Sequence, residues 1–372
     1  MSAPDTQASL APHPLGDYIR PHVLSLPAYV PGKSAPNAAK LSSNENPSAP
    51  PASVLQAISA AAKNTNRYPD LLCTRLREAL VEHFAGDLPG INVDNIVVST
   101  GSSALLVAAL SAVALPGREV IYPWRSFESY PIAVPTVGSV PRPVSLTLDG
   151  RVDLDAMRAA INERTSSVIL CTPNNPTGPA LTFAQVKAFI EQVPPHVLVL
   201  VDEAYIELAT SAGVSTAVPL IADHPNVVVL RTFSKVYALA GLRVGYAVAD
   251  PYVIAAIQKI CIPFGVSTVA QAAAVAALAD QDFVRDSREQ AIAERTRMIT
   301  ALRGMGYQVP DSDANFYFIP AAQAGTEFVQ ACLDAGVIVR PFPEGIRITV
   351  GTPADNDQVL DVARHCINSS KH

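Results

Sequence analysis

Lysine is scarce in this 372-residue chain, where seven stand against twenty arginines. One of the seven, Lys235, lies in "RTFSKVYALAGLRVGY" (231–246), directly after the strand-like run "NVVVL". Most lysines are solvated charges on loops, and this setting is unusually apolar for one. Burial favours the neutral amine, which can act as a nucleophile and as a base. Asp202 stands in a comparable place, at the end of the apolar run in "VLVLVDEAY" (197–205). A carboxylate there needs a cation, a protonated ring nitrogen or a set of backbone donors. "STGSS" (99–103) turns from strand to helix and puts the N–H groups of Ser102 and Ser103 at a helix N-terminus, where anions bind. Serine also simply caps helices, so that motif is weak alone. Thr232 and Ser234 bring hydroxyls beside the lysine, and Arg243 follows eight residues after it.

Several chemistries are excluded. Asp202 and Glu203 lack the further carboxylate or histidine ligands that a metal would take at strand ends. The seven histidines show no metal-ligand spacing, and the cysteines at 73, 171, 261, 332 and 366 are too scattered for zinc. No metal is expected. No GxGxxG opens the first strand–helix unit, and no Walker loop is present. A lysine, an acid and an anion cradle remain, and they suit pyridoxal 5'-phosphate. The lysine bonds to the aldehyde, the acid keeps the ring nitrogen protonated, and hydroxyls, helix N–H groups and the fork of Arg243 hold the phosphate.

Such groups must be positioned by a scaffold, and the hydrophobic pattern describes one. Short apolar runs at "NIVVST" (95–100), "EVIYP" (119–123), "SSVILCTP" (166–173), 197–205, "NVVVLRTFS" (226–234) and "RVGYAVAD" (243–250) alternate with helix-length segments. Strands apolar throughout imply a mostly parallel sheet covered on both faces, with ligands beyond the strands' carboxyl ends. After residue 270 the texture changes to long helices (270–304) and short strands at "NFYFIPA" (315–321), "VIVRPF" (337–342) and "GIRITVG" (345–351), expected to pair antiparallel. The expected organisation is an α/β fold with an arm at 1–45, a large domain at 46–268 and a smaller α+β domain at 269–372. Ten of the 32 prolines fall in the first 51 residues, so about 1–16 should be loose and the rest of the arm should pack on the small domain.

The net charge of −6 offers no footprint for nucleic acid or an anionic membrane surface. The charge-poor stretches 95–117 and 260–279 are alanine-rich and interrupted by polar residues, so they read as buried helices, not membrane spans. With no signal peptide in view and an odd set of cysteines in apolar runs, the chain reads as a cytoplasmic protein with buried thiols.

The order "NPTG … DEAY … SK … GLRVGY", with 27 residues from Asn175 to Asp202 and 33 from Asp202 to Lys235, resembles the fold-type-I pyridoxal-phosphate aminotransferases of class II. "SSNENP", "NRYPD" and "GIRITVGT" resemble the histidinol-phosphate aminotransferase family, and "WRSFESYP" (124–131) resembles its actinobacterial aromatic-amino-acid (phenylalanine) branch. The likeness runs from about residue 17 to the end. It implies that Lys235 carries the cofactor and shuttles the proton, that Asp202 pairs with the pyridinium nitrogen, and that Tyr205 and Asn175 bond its phenolic oxygen. Ser102, Ser103, Thr232, Ser234 and Arg243 would cup the phosphate, and Phe127 would stack on the ring. In place of the acidic residues usual after that loop's glycine, this chain has Ser103 and Ala104.

The same resemblance implies that Tyr68 of "NRYPD" reaches the partner subunit's cofactor, making the working unit a homodimer with shared sites. Arg347 would grip the substrate carboxylate, with Arg340 a second anion contact and Asn46 and Phe264 on the substrate side. The implied reaction moves the amino group of phenylalanine, tyrosine or also tryptophan to 2-oxoglutarate, or runs in reverse. The alternative is histidinol-phosphate transamination; related scaffolds also host phospho-amino-acid decarboxylases. Phe127, and Phe264 in "IPFGVS", stand where relatives often have tyrosine, which favours an aromatic ring over imidazole and phosphate.

Overall fold

The computed structural model describes residues 20–24, 26 and 38–369. The expectation of a loose stretch at 1–16 lies outside them.

A seven-stranded sheet forms from β1 (Ile96–Ser99), β2 (Glu119–Trp124), β3 (Val140–Ser145), β4 (Thr165–Cys171), β5 (Leu198–Asp202), β6 (Val227–Thr232) and β7 (Gly245–Ala249). Its order is β1-β7-β6-β5-β4-β2-β3. The β6–β5, β5–β4, β4–β2 and β2–β3 ladders are parallel, while β7 runs antiparallel to both its neighbours. The α/β architecture with a mostly parallel sheet is therefore present. Both faces are buried, which is why its strands read as unbroken apolar runs. In β5, Val199 and Val201 enter one core while Leu198 and Leu200 enter the other. In β6, Val227 and Val229 split from Val228 and Leu230 in the same way.

One strand has no counterpart in the hydrophobic pattern. β3, "VPRPVS", carries two prolines and is mostly exposed. It lies at the sheet edge, where a missing N–H costs no ladder bond on the open side.

A second body is built on β8 (Phe316–Pro320), β9 (Arg340–Phe342) and β10 (Gly345–Thr349), antiparallel in the order β9-β10-β8. The single run expected at 337–342 is split. Val337–Ile338 pairs in parallel with Ala39–Lys40, and only Arg340–Phe342 joins the antiparallel sheet. Leu41 follows that short ladder into a third core with Ile319, Ile346 and Met298. The long helical region resolves into Thr268–Ala279 and Gln281–Met305. Among the described residues no helix is long and apolar enough to cross a membrane.

Candidate active site

At the carboxyl ends of β4, β5 and β6 lies a cavity of about 380 Å³, the size of a small-molecule pocket. Strand register builds its floor. Cys171 pairs with Asp202 across β4 and β5, and Asp202 with Leu230 across β5 and β6, so Thr232 lies two residues further along the same face. Cys171, Asp202 and Thr232 all line the cavity.

Lys235 follows β6 and stands between buried Phe233, Val236 and Tyr237. Its Nζ donates to the carbonyl oxygens of Asn44 at 3.2 Å and Ser43 at 3.4 Å, and sits 5.3 Å from the centre of the Tyr205 ring. Burial, reinforced by the charge of Arg347, pulls its pKa down to about 7. The amine is thus substantially neutral near neutral pH, as the apolar setting of "RTFSK" predicts.

Asp202 shows the opposite shift. Burial pushes its pKa up to about 6, against a hydrogen bond from the Tyr130 hydroxyl to Oδ2 at 2.8 Å. Its Oδ1 is buried and has no hydrogen-bond partner among the described residues. A buried carboxylate oxygen facing a cavity without a partner is costly unless a ligand N–H meets it.

The anion cradle is formed as the turn chemistry suggests. The helix α1 (Ser102–Val113) starts at Gly101 with no side-chain cap, leaving its first N–H groups to the cavity. Gly101 has φ +93, and a Cβ there would lie 2.7 Å from Nη2 of Arg243. Gly245, at the start of β7, passes close beneath the same turn, where a Cβ would lie 2.7 Å from the Gly101 carbonyl carbon. Arg243 donates to Ser234 Oγ at 3.1 Å, and Thr232 Oγ1 to the same oxygen at 3.0 Å. Arg243 also adopts φ +56, a strained conformation for a side-chain-bearing residue and one that clusters at functional sites.

On the other wall, Arg347 projects from β10. Its Nη1 donates to Asn175 Oδ1 at 2.5 Å and its Nη2 to the Ser42 carbonyl at 2.6 Å. Phe127 packs edge-on against Tyr130, ring centres 5.7 Å apart. Arg340 also lines the cavity, its guanidinium paired with Glu128. Twelve of the residues expected at the site therefore share one cavity: Ser102, Ser103, Phe127, Asn175, Asp202 and Tyr205, with Thr232, Ser234, Lys235, Arg243, Arg340 and Arg347.

Three do not. Tyr68 is 83% exposed and Phe264 41% exposed, their rings stacked 4.9 Å apart outside the cavity. Phe264 therefore forms no wall of the cavity within its own protomer. Asn46 donates to the Val236 carbonyl at 3.1 Å and lines a neighbouring cavity of about 450 Å³ that Lys235 also borders. The asparagine of "SSNENP" that enters the site is Asn44, which donates to the Tyr205 hydroxyl at 2.9 Å. Tyr130 and Glu128 are the other participants that sequence reasoning passed over. Both lie in "WRSFESYP", the segment from which only Phe127 was singled out.

The family sequence model for class I and II aminotransferases matches residues 36–362. The chain is 45% identical over 347 residues to an aromatic amino acid aminotransferase of Mycobacteroides abscessus, covering 93% of this chain and 98% of that one. It is 47% identical over 340 residues to another of the same name from Rhodococcus opacus, covering 91% and 93%. Its structure is similar, with a TM-score of 0.86 and 30% identity, to a histidinol-phosphate aminotransferase of Sinorhizobium meliloti in complex with pyridoxal-5'-phosphate, covering 94% of this chain and 97% of that one. With the strand-end lysine, acid and anion cradle in one cavity, and a match along nearly the whole chain, this protein belongs to the class I and II aminotransferase family.

Proposed function

We propose that the protein is a pyridoxal-phosphate-dependent aminotransferase that exchanges the amino group between aromatic amino acids and 2-oxoglutarate. The observation that carries the reading is the buried pair in the cavity floor: an amine whose pKa is pulled down to about 7 and a carboxylate whose Oδ1 has no partner among the described residues. The cavity suits the cofactor at both its ends. Oδ1 of Asp202 is available to a pyridinium N–H, and the first turn of α1 with Arg243, Ser234 and Thr232 is available to a phosphate. The cofactor would supply an aldehyde for amine exchange and a protonated ring that draws electrons from the substrate.

The chain's own residues supply the rest. Lys235 Nζ, in its neutral form, would move the proton at the substrate Cα. Asp202, fixed by Tyr130, would hold the ring N–H. Arg347, oriented by Asn175 and the Ser42 carbonyl, binds the substrate carboxylate. Phe127 would cover the ring, and Asn44 fixes the Tyr205 hydroxyl at the wall of the same cavity. The cavity would lie between a larger unit, residues 46–268, and a smaller one, residues 269–372.

The aromatic assignment draws on the relatives at 45% and 47% identity, against 30% for the histidinol-phosphate enzyme. It also draws on Phe127, a ring without a hydroxyl at the cavity wall. The same reading makes the protein a cytoplasmic homodimer. Tyr68 and Phe264 form an exposed aromatic pair with no role in their own cavity, which suits a contribution to a partner's site. Cys73, Cys171 and Cys332 are buried, unpaired thiols, as suits a reducing compartment.

Steady-state rates with phenylalanine, tyrosine and histidinol phosphate, each with 2-oxoglutarate as acceptor, test the assignment. Phenylalanine or tyrosine should give the highest kcat/KM. A tenfold preference for histidinol phosphate over phenylalanine would assign the enzyme to that substrate instead.

A further inference from the structure

Arg340 and Glu128 meet at the cavity wall in a forked pair. Nη2 of Arg340 donates to both carboxylate oxygens of Glu128, at 2.8 and 2.9 Å, and Nε donates to one of them at 3.2 Å. The side chains are only 14% and 28% exposed. Both residues line the cavity, and the carboxylate takes the Nε and Nη2 donors of Arg340. Arg347, by contrast, is held by the neutral oxygens of Asn175 and Ser42.

Glu128 is also held in place. Two residues before it in the same segment, Ser126 donates to Asn174 at 2.7 Å. Arg125 forms a second forked pair with Glu344, at 2.9 and 3.0 Å, and stacks 4.2 Å from the centre of the Trp124 ring. Crossed pairs therefore tie 124–129 to the β9–β10 hairpin and aim the Glu128 carboxylate at Arg340.

We propose that Glu128 is a specificity-determining residue: it serves as an internal carboxylate that satisfies Arg340 while an uncharged aromatic side chain fills the cavity, and any substrate with a distal anion must displace it. The proposal rests on the aminotransferase reading of the cavity and deepens it. An amino-group exchanger of this kind has to admit an apolar ring in one half of its cycle and a dicarboxylate in the other. A largely buried guanidinium facing an aromatic ring needs a countercharge, and Glu128 supplies one. A dicarboxylate can take the place of Glu128, which is near enough to solvent to turn away. A phosphate dianion must displace Glu128 as well, and its greater charge is opposed more strongly by the carboxylate nearby.

A purely structural latch predicts the opposite sign on cutting. Loosening a latch weakens ligand binding, whereas removing a competitor strengthens the binding of distal anions. Glutarate is the probe for binding to the cofactor-loaded enzyme by calorimetry; kcat/KM for histidinol phosphate relative to phenylalanine is the second readout. Glu128→Gln should tighten glutarate binding and raise that ratio, each by roughly tenfold, the worth of a hydrogen bond to a charged group. Glu128→Asp, whose shorter carboxylate cannot make the fork, should move both in the same direction by less, and serves as the test if the glutamine variant does not fold. Adding Arg340→Met to Glu128→Gln should erase the gain. Unchanged or weaker glutarate binding in both Glu128 variants, or a gain that survives without Arg340, would overturn the proposal. Failure of the aromatic assignment would show separately, as poor phenylalanine turnover by the unsubstituted enzyme, and leaves the glutarate comparison readable.

Discussion

The floor of the cavity and its outer aromatic pair are built in opposite ways. On the floor, Lys235, Asp202 and Tyr205 sit at or just beyond strand ends and line one cavity, with Tyr130 bonded to Asp202. Their positions are fixed by sheet register, and burial sets their proton affinities. Outside, Tyr68 and Phe264 are exposed on connecting segments, their tilted rings 4.9 Å apart. The contrast separates a floor that one protomer completes from a periphery for which a second copy is proposed.

The largest expected effect comes from breaking the floor. Lys235→Ala should fold with an unchanged secondary structure yet lose transamination by several orders of magnitude, because one group acts as both nucleophile and base. Circular dichroism and steady-state assay check this, and normal turnover would remove Lys235 from the chemistry.

The outer pair is tested by mixing subunits. Tyr68→Phe and Lys235→Ala chains, allowed to exchange, should form hybrids with one site lacking both groups and one intact. Activity should then exceed the sum of the two parents, towards half that of the unsubstituted enzyme in each hybrid. No gain despite demonstrated exchange would place Tyr68 in its own chain's site.

A smaller effect probes how the floor is tuned. The Tyr130 hydrogen bond lowers the pKa of Asp202, opposing burial. Removing it in Tyr130→Phe should raise that pKa above about 6 in the cofactor-free protein, so carboxylate is lost at a higher pH as the solution is acidified. The acid limb of cofactor binding to the apoprotein, followed against pH, should move upward, and kcat/KM should fall about tenfold. An unshifted limb would mean that the hydroxyl does not tune the acid.

The two regions were also unequally readable in the sequence. Lys235 and Asp202 could be picked out because a charged residue after a continuous apolar run is a local anomaly, and the parallel sheet predicts what strand ends do. Arg243 and the Gly101 turn follow from similarly local patterns. Tyr130 and Asn44 could not be found that way. Tyr130 reaches Asp202 across 72 residues and Asn44 reaches Tyr205 across 161, and no periodicity specifies such contacts. Asn44 and Asn46 both belong to "SSNENP", and only the path of the chain decides which one enters the cavity. β3 escaped for another reason, since an exposed edge strand with two prolines lacks the apolar signature by which the other strands are recognised. The split of 337–342 depends on the distant Ala39–Lys40 segment, which captures its first two residues.

The most direct test is to reduce the cofactor-loaded protein with borohydride and map where the cofactor becomes fixed. The cavity geometry predicts a single modified peptide containing Lys235, and no modification in Lys235→Ala. Cofactor fixed on another lysine, or none fixed in a protein that still transaminates, would contradict the assignment of this cavity as the active site.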